Sequence, residues 1–233
     1  MEKKILIFAA TYNEAENIKN FIETILELNI NLDLLIIDDN SPDKTWEIVN
    51  NYKKNNKNIV LIKRKGKEGL DTAHKLAFNY AKEHNYNYLV TLDADLSHDP
   101  TKIPNFLNEL KDQPFVIGSR YIKDGKNKMK LKRYILSVVG NKIIKFVLGI
   151  NCDEFTSAYR GFNLDMLKNF DINGVSSRGY SFFMETVYLL NAIGYDIKQV
   201  PIQFKDRAKG SSKIPQVEIF RTLKNLLLLK IKK

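Results

Sequence analysis

The 233 residues carry 37 Lys and Arg against 27 Asp and Glu, a formal net charge of +10, with 44% hydrophobic content, enough for one substantial core. The single cysteine, Cys152, excludes an intramolecular disulfide framework and a multi-cysteine zinc site, and reads as a small buried hydrophobe. No apolar run approaches the roughly 20 residues that span a bilayer. Met1-Glu-Lys-Lys4 enters a short apolar strand without the hydrophobic region and cleavage site of a signal peptide, so neither membrane crossing nor export is expected.

In chain order, Lys4 to Ala9 reads as a buried strand, Asn13 to Leu28 has helical period, and Leu32 to Ile37 is a second strand ending at Asp38-Asp39. A helix opened by Pro42, a strand at Asn58 to Lys63, a helix from Thr72 to Glu83 and a strand at Tyr88 to Leu92 follow. This alternation predicts an α/β fold with a mostly parallel sheet flanked by helices, in which ligands bind outside the carboxyl ends of the strands. Further along, a strand ends at Arg120, and Lys123 to Lys132 reads as a mobile loop rich in Lys and Gly. Ile135 to Ile150 and Val217 to Ile231 are amphipathic helices broken by Lys, Arg and Asn, suited to core packing, a membrane surface or a partner subunit.

The residues that carry chemistry gather at predicted strand ends. Thr11-Tyr-Asn-Glu14 follows the first strand, Asp38-Asp-Asn-Ser-Pro-Asp43 the second and Asp93-Ala-Asp95 the fourth, so one rim receives Tyr12, Glu14, Asp39 and both acids of the last triplet. An apolar strand ending in two carboxylates one residue apart fits a metal-assisted phosphate site, where a cation offsets their desolvation, or an ordinary turn and cap. Asn13 as a helix N-cap, Glu14 in a first helical turn and Asp39 as a turn former are the corresponding plain alternatives. On the basic side Arg133 and Ser137 stand four residues apart on one helix face, with Asn141 a turn further, a stripe able to clamp a phosphate or simply to face solvent. The net positive charge suits phosphorylated substrates, an anionic membrane or nucleic acid. Against nucleic acid stand the acidic rim and the lack of a recognition-helix motif or a basic stripe interleaved with aromatics.

Five segments taken together resemble a known family: Ala10-Thr-Tyr-Asn-Glu-Ala-Glu-Asn17, Ile37-Asp-Asp-Asn-Ser-Pro-Asp43, Asp93-Ala-Asp-Leu-Ser-His-Asp-Pro100, Gly118-Ser-Arg-Tyr121 and Arg207-Ala-Lys-Gly-Ser-Ser-Lys213. In this order, from residue 5 to about 213, they look like the inverting family-2 glycosyltransferases, and within these the polyprenol-phosphate (dolichol-phosphate) mannosyltransferases, in their soluble type without transmembrane helices. The resemblance implies a GT-A nucleotide-diphospho-sugar transferase fold with a Rossmann-like sheet. It implies a catalytic domain at 1–213, followed at 214–233 by an amphipathic basic helix for packing or a membrane surface.

The donor implied by the resemblance is GDP-mannose, with Ala10, Tyr12, Glu14, Ile37, Asp39, Asp93, Ala94, Asp95, Arg207 and Lys213 around it. A divalent cation, Mg2+ or Mn2+, is implied on Asp93 and Asp95, with Ser97 where some relatives carry an amide ligand. Arg120, Arg133 and Ser137 match positions that hold the phosphate of a dolichyl or polyprenyl acceptor, and Arg207 to Lys213 a loop that folds over the diphosphate. Asp95, Arg120 and Arg207 are the implied catalytic group. The setting is the cytoplasmic face of a membrane, reached by charge, apolar contact or small membrane subunits, for glycosylation or glycolipid synthesis. A polyprenyl-phosphate glucosyltransferase, or another member using a UDP-sugar, is the alternative.

Several residues depart from the pattern. Ala10 replaces a usual Pro. Asp71 and His74 stand in Gly69-Leu-Asp-Thr-Ala-His74, where the family has Gly and Tyr. Glu154 and Ala158, in Glu154-Phe-Thr-Ser-Ala-Tyr-Arg160, replace Asp and Gly. Arg160 and Glu185 are expected either to face the donor or to pair with each other.

Overall fold

A computed structural model describes residues 3–205 and 216–231. Its strands are β1 (Ile5–Thr11), β2 (Asp33–Asp38), β3 (Ile59–Lys63), β4 (Tyr88–Thr91), β5 (Phe115–Ser119), β6 (Lys126–Lys128), β7 (Arg160–Asn163), β8 (Lys198–Pro201) and β9 (Gln203–Lys205). The helices are α1 (Ile18–Leu26), α2 (Thr45–Asn55), α3 (Leu70–Glu83), α4 (Ile103–Glu109), α5 (Leu131–Leu148), α6 (Tyr180–Ala192) and α7 (Gln216–Ile231). Seven strands form one sheet in the order β3-β2-β1-β4-β7-β5-β8, and β6 pairs with β9 in a second, two-stranded sheet. Within the large sheet β7 alone is antiparallel to its neighbours β4 and β5. The carboxyl ends of β1, β2, β4 and β5 and the first residue of β7 therefore share one rim.

The alternation of β1 and β2 sorts their side chains into two cores, as expected of strands covered on both faces. Leu6, Phe8, Leu35 and Ile37 pack with Ala73, Ala77 and Phe78 of α3 and Phe182 and Phe183 of α6. Ile7, Ala9, Leu34 and Ile36 face Ile18, Phe21 and Ile22 of α1 and Phe106 of α4.

Three expected boundaries move. The first helix starts at Ile18 and not Asn13, because Asn13 is left-handed (φ 60) and its neighbours' amides are taken by side chains of another loop, described below. The second helix starts at Thr45, with Pro42 in the preceding turn. The segment 123–132 is not loop throughout: Lys126 to Lys128 pair in parallel with Gln203 to Lys205, a partner distant in sequence. In α7, Leu226 and Leu229 are buried in the first core, whereas Leu223, Leu227, Leu228 and Ile231 are exposed.

Candidate active site

The loops after β1 and β2 are stitched into one platform. Asp38, fully buried, accepts from Thr11 Oγ1 at 2.7 Å, Ser41 N at 2.8 Å and Ser41 Oγ at 2.6 Å. Three consecutive amides then donate across to the second loop: Asn13 N to Ser41 Oγ at 3.0 Å, Glu14 N to Thr45 Oγ1 at 2.9 Å and Ala15 N to Asp43 Oδ2 at 2.9 Å. Main-chain donors satisfied by side chains in this way have no need of a helix. On the platform Tyr12 is exposed beside Lys67, whose Nζ lies 4.4 Å from the ring centroid, and Glu14 accepts from Asn17 Nδ2 at 2.7 Å. Asp39 is ion-paired with Arg64 and accepts from Glu68 N at 3.2 Å. Arg64, which no sequence pattern singled out, also donates to Thr72 Oγ1 at 2.5 Å and Gly69 O at 3.0 Å, locking Asp39 against the start of α3.

Beyond β4 the chain turns sharply. Asp95 Oδ1 accepts from Ser97 N at 3.0 Å across Leu96, which sits at φ 60, a conformation costly for a leucine and a mark of functional loops. The turn reading is therefore correct for one oxygen of Asp95 and leaves the metal reading intact. Asp95 is buried and the Asp93 side chain is 38% exposed. Ala94 and Ser97 are buried, and the Ser97 carbonyl accepts from Lys205 N at 3.1 Å. His98 Nδ1 lies 3.5 Å from Asp93 Oδ2; burial pushes this imidazole down to about 4 despite the opposing Asp95 charge, so it is neutral. Among the described residues no cluster of three or more His, Cys, Asp or Glu forms a ready metal cage. Two hard carboxylates on a rim loop suit an ion that draws its other ligands from substrate phosphates and water, as Mg2+ does.

Arg120, directly after β5, has a side chain only 7% exposed. Its Nε donates to Glu154 Oε2 at 2.8 Å, its Nη2 to Thr156 Oγ1 at 3.3 Å, and its guanidinium carbon lies 4.6 Å from the centroid of Phe204. Glu154 Oε1 in turn accepts from Thr156 N at 3.0 Å and Oγ1 at 2.8 Å. Burial opposes the charge of Arg120, yet the Glu154 carboxylate outweighs it and the net shift is upward. The guanidinium carbon of Arg133 lies 5.8 Å from the same Phe204 ring, and Ser137 Oγ is 2.5 Å from Tyr121 Oη. Asn141 does not extend the phosphate stripe: it is buried, donating to Ser137 O at 2.9 Å and accepting from Phe155 N at 2.8 Å, and so ties α5 to the loop of Glu154.

Other expected residues fall elsewhere. Ile37 lies between paired strands with its side chain wholly in the core, so it supports the site and does not line it. Ala10 ends up half-buried on β1, against the first core. Arg160 and Glu185 form no ion pair: Arg160 donates to the carbonyls of Ser157, Phe155 and Phe183, and Glu185 accepts from Ser176 Oγ at 3.0 Å and Ser177 N at 2.6 Å. Asp71 accepts from Gly179 N at 3.1 Å at the start of α6. Arg207 and Lys213 lie outside the described residues. Phe204 and the clamp on Arg120 leave no local signal in the sequence, because their partners come from separate segments.

The fold and the rim have named counterparts. The chain is 31% identical over 212 residues to an undecaprenyl-phosphate mannosyltransferase of Micrococcus luteus, covering 91% of this chain and 87% of that protein. It is 29% identical over 215 residues to a polyprenol monophosphomannose synthase of Mycolicibacterium smegmatis, covering 91% and 81%. In fold it resembles glucosyl-3-phosphoglycerate synthase from Mycobacterium tuberculosis in complex with UDP, with a TM-score of 0.69, 15% identity and coverage of 98% of this chain and 80% of that one. It also resembles a mannosyltransferase from Pyrobaculum calidifontis in complex with GDP-mannose and Mn2+, with a TM-score of 0.62, 16% identity and coverage of 100% and 65%. The family model for glycosyl transferase family 2 matches residues 6–170. The strand-end acids, the mostly parallel sheet and these matches agree: the chain belongs to glycosyl transferase family 2 and is a glycosyltransferase of GT-A fold.

Proposed function

We propose that the chain transfers mannose from GDP-mannose to a dolichyl or other polyprenyl phosphate, with inversion, releasing GDP and forming a β-linked polyprenyl phosphate mannose. The observation that carries this reading is the meeting of Arg120, Arg133 and Ser137 around Tyr121 and Phe204, beside the Asp93–Asp95 loop. The names of both relatives support the sugar and the acceptor class.

In this reading the exposed face of Tyr12 stacks on the base, while Glu14 and Asp39 accept hydrogen bonds from base and ribose. Asp93 and Asp95, with Ser97 as a weaker contact, would hold the cation, Mg2+ or Mn2+. Bound there, it would neutralise the charge that grows on the departing diphosphate. Arg120 and Arg133 offer planar donors to the acceptor phosphate, and Ser137 a hydroxyl. A phosphate monoester has its second pKa near ~6, so the attacking oxygen carries no proton at neutral pH and no general base is required. The two aspartates then assist departure and abstract nothing. Arg207 and Lys213 complete the proposed diphosphate contacts, and residues 1–213 the proposed catalytic domain.

The same reading puts the enzyme at the cytoplasmic face of a membrane, held by its own surface or by small membrane subunits. No described helix is long and apolar enough to cross a bilayer. Supporting a surface role, α5 exposes Leu131, Ile135, Leu136 and Phe146 among lysines, a combination suited to anionic lipid.

A donor panel with polyprenyl phosphate under Mg2+ and Mn2+ titration tests the reaction. GDP-mannose is expected to give metal-dependent transfer, and turnover with UDP-glucose in its place would move the enzyme to the other donor. Near-normal transfer by Asp95→Ala in saturating metal would remove the metal role. Pelleting with anionic vesicles but not neutral ones is the expected membrane result.

A further inference from the structure

Two arginines proposed for the acceptor phosphate and a histidine that follows the Asp93–Asp95 pair converge on one buried ring. Phe204 has the guanidinium carbons of Arg120 and Arg133 at 4.6 Å and 5.8 Å from its centroid, and the ring of His98 meets it edge-on at 5.3 Å with an interplanar angle of 69°. Its main chain is fixed by the loop of the two aspartates: Phe204 forms a bridge with His98, and Lys205 N donates to Ser97 O at 3.1 Å. On its other side β9 pairs with β6, just ahead of α5, where Arg133 sits.

Two cations that must close on one phosphate repel each other until the phosphate arrives. Guanidinium groups are planar and weakly hydrated, and the negative face of an aromatic ring attracts them. Glu154 answers the charge of Arg120 through the Nε edge, which leaves the face of that guanidinium to the ring.

We propose that Phe204 is a positioning residue for the acceptor phosphate: its ring holds Arg120 and Arg133 toward one phosphate, and its pairing with His98 fixes their distance from the Asp93–Asp95 loop. The role rests on the acceptor-phosphate reading above. It also gives the short strand β9 a purpose, since a ring carried there is in register with both halves of the site.

Phe204→Leu keeps apolar bulk and removes the ring face, whereas Phe204→Tyr keeps the face. With GDP-mannose and a short polyprenyl phosphate, F204L is expected to raise the acceptor KM about tenfold, from the loss of two cation–π contacts. Its kcat and its affinity for GDP with Mn2+ should stay within about twofold, F204Y should resemble the parent, and Arg133→Ala should cost less in the F204L background. An unchanged acceptor KM, an equal loss of GDP affinity, or F204Y as impaired as F204L overturns the proposal. If F204L does not fold, Phe204→Met carries the same comparison. Arg120→Ala and Arg133→Ala run alongside: if neither moves the acceptor KM, the acceptor-phosphate reading itself fails. If they move it and F204L does not, only the role of the ring fails.

Discussion

Arg120 and Glu154 form an ion pair, Nε to Oε2 at 2.8 Å, between side chains 7% and 0% exposed. Such a pair adds little over an apolar alternative, but removing one partner leaves a buried charge and costs about 3–5 kcal/mol. Glutamine cannot replace Glu154, because Oε1 already accepts from Thr156 N and Oγ1 while Oε2 serves Arg120, and an amide has one acceptor oxygen for both. Glu154→Gln is expected to lose about 3 kcal/mol in urea unfolding, and Glu154→Asp, which keeps the charge, clearly less. A glutamine variant as stable as the parent would mean that Arg120 is satisfied elsewhere.

Gly125 lies against the main chain of the same arginine. A Cβ there would sit 2.8 Å from the Arg120 carbonyl carbon and 2.9 Å from both its oxygen and that of Ser119. Close-packed backbone cannot swing aside as a side-chain tip can. Gly125→Ala should shift the guanidinium and lower acceptor-dependent turnover at least about tenfold, given how steeply rate falls with misplacement. GDP binding should be unchanged. Gly174→Ala, whose Cβ would meet nothing within 4 Å, is the control; equal turnover in both variants would sink the argument.

The parallel half of the sheet and the acidic rim were legible because β1, β2 and β4 are short apolar runs that stop at polar residues, a pattern that depends only on local order. The helix expected from Asn13 fails for a tertiary reason: a local capping pattern is present, but Ser41, Asp43 and Thr45 compete for the same amides. Lys126 to Lys128 has the composition of a loop and becomes a strand because β9 arrives beside it. Arg64 and Phe204 gave no signal, since each acquires meaning only from partners on other segments. Asp71 departs from the family's Gly, and its partner, the Gly179 amide at the start of α6, is equally remote in sequence.

Thr45 tests the stitched platform. Its hydroxyl accepts from Glu14 N at 2.9 Å and donates to Asp43 Oδ1 at 2.6 Å, and the residue is fully buried. Thr45→Val keeps the shape and leaves a buried amide without its partner, at a cost of about 1–3 kcal/mol. Because that amide belongs to Glu14, proposed above to hold the nucleotide, GDP affinity measured by calorimetry with Mn2+ should fall about threefold or more together with stability. Lost stability with unchanged affinity would limit the platform to a folding role.

His74 is enclosed by Phe8, Phe182 and Phe183, with centroids at 5.0, 5.8 and 5.0 Å. Burial, with the charge of Arg160 adding to it, lowers its pKa from 6.5 to about 3. The folded protein therefore keeps this imidazole neutral while the unfolded chain takes up a proton below its ordinary value. Stability from this group is complete above pH 6.5 and falls as pH drops toward about 3. The slope approaches about 1.4 kcal/mol per pH unit. His74→Phe removes the proton uptake and retains the ring contacts. Between about pH 7 and about pH 5 the parent should lose about 2 kcal/mol more unfolding free energy than the variant. Parallel pH profiles would mean that the imidazole gains its proton inside the folded protein, and the aromatic enclosure would then not be dry.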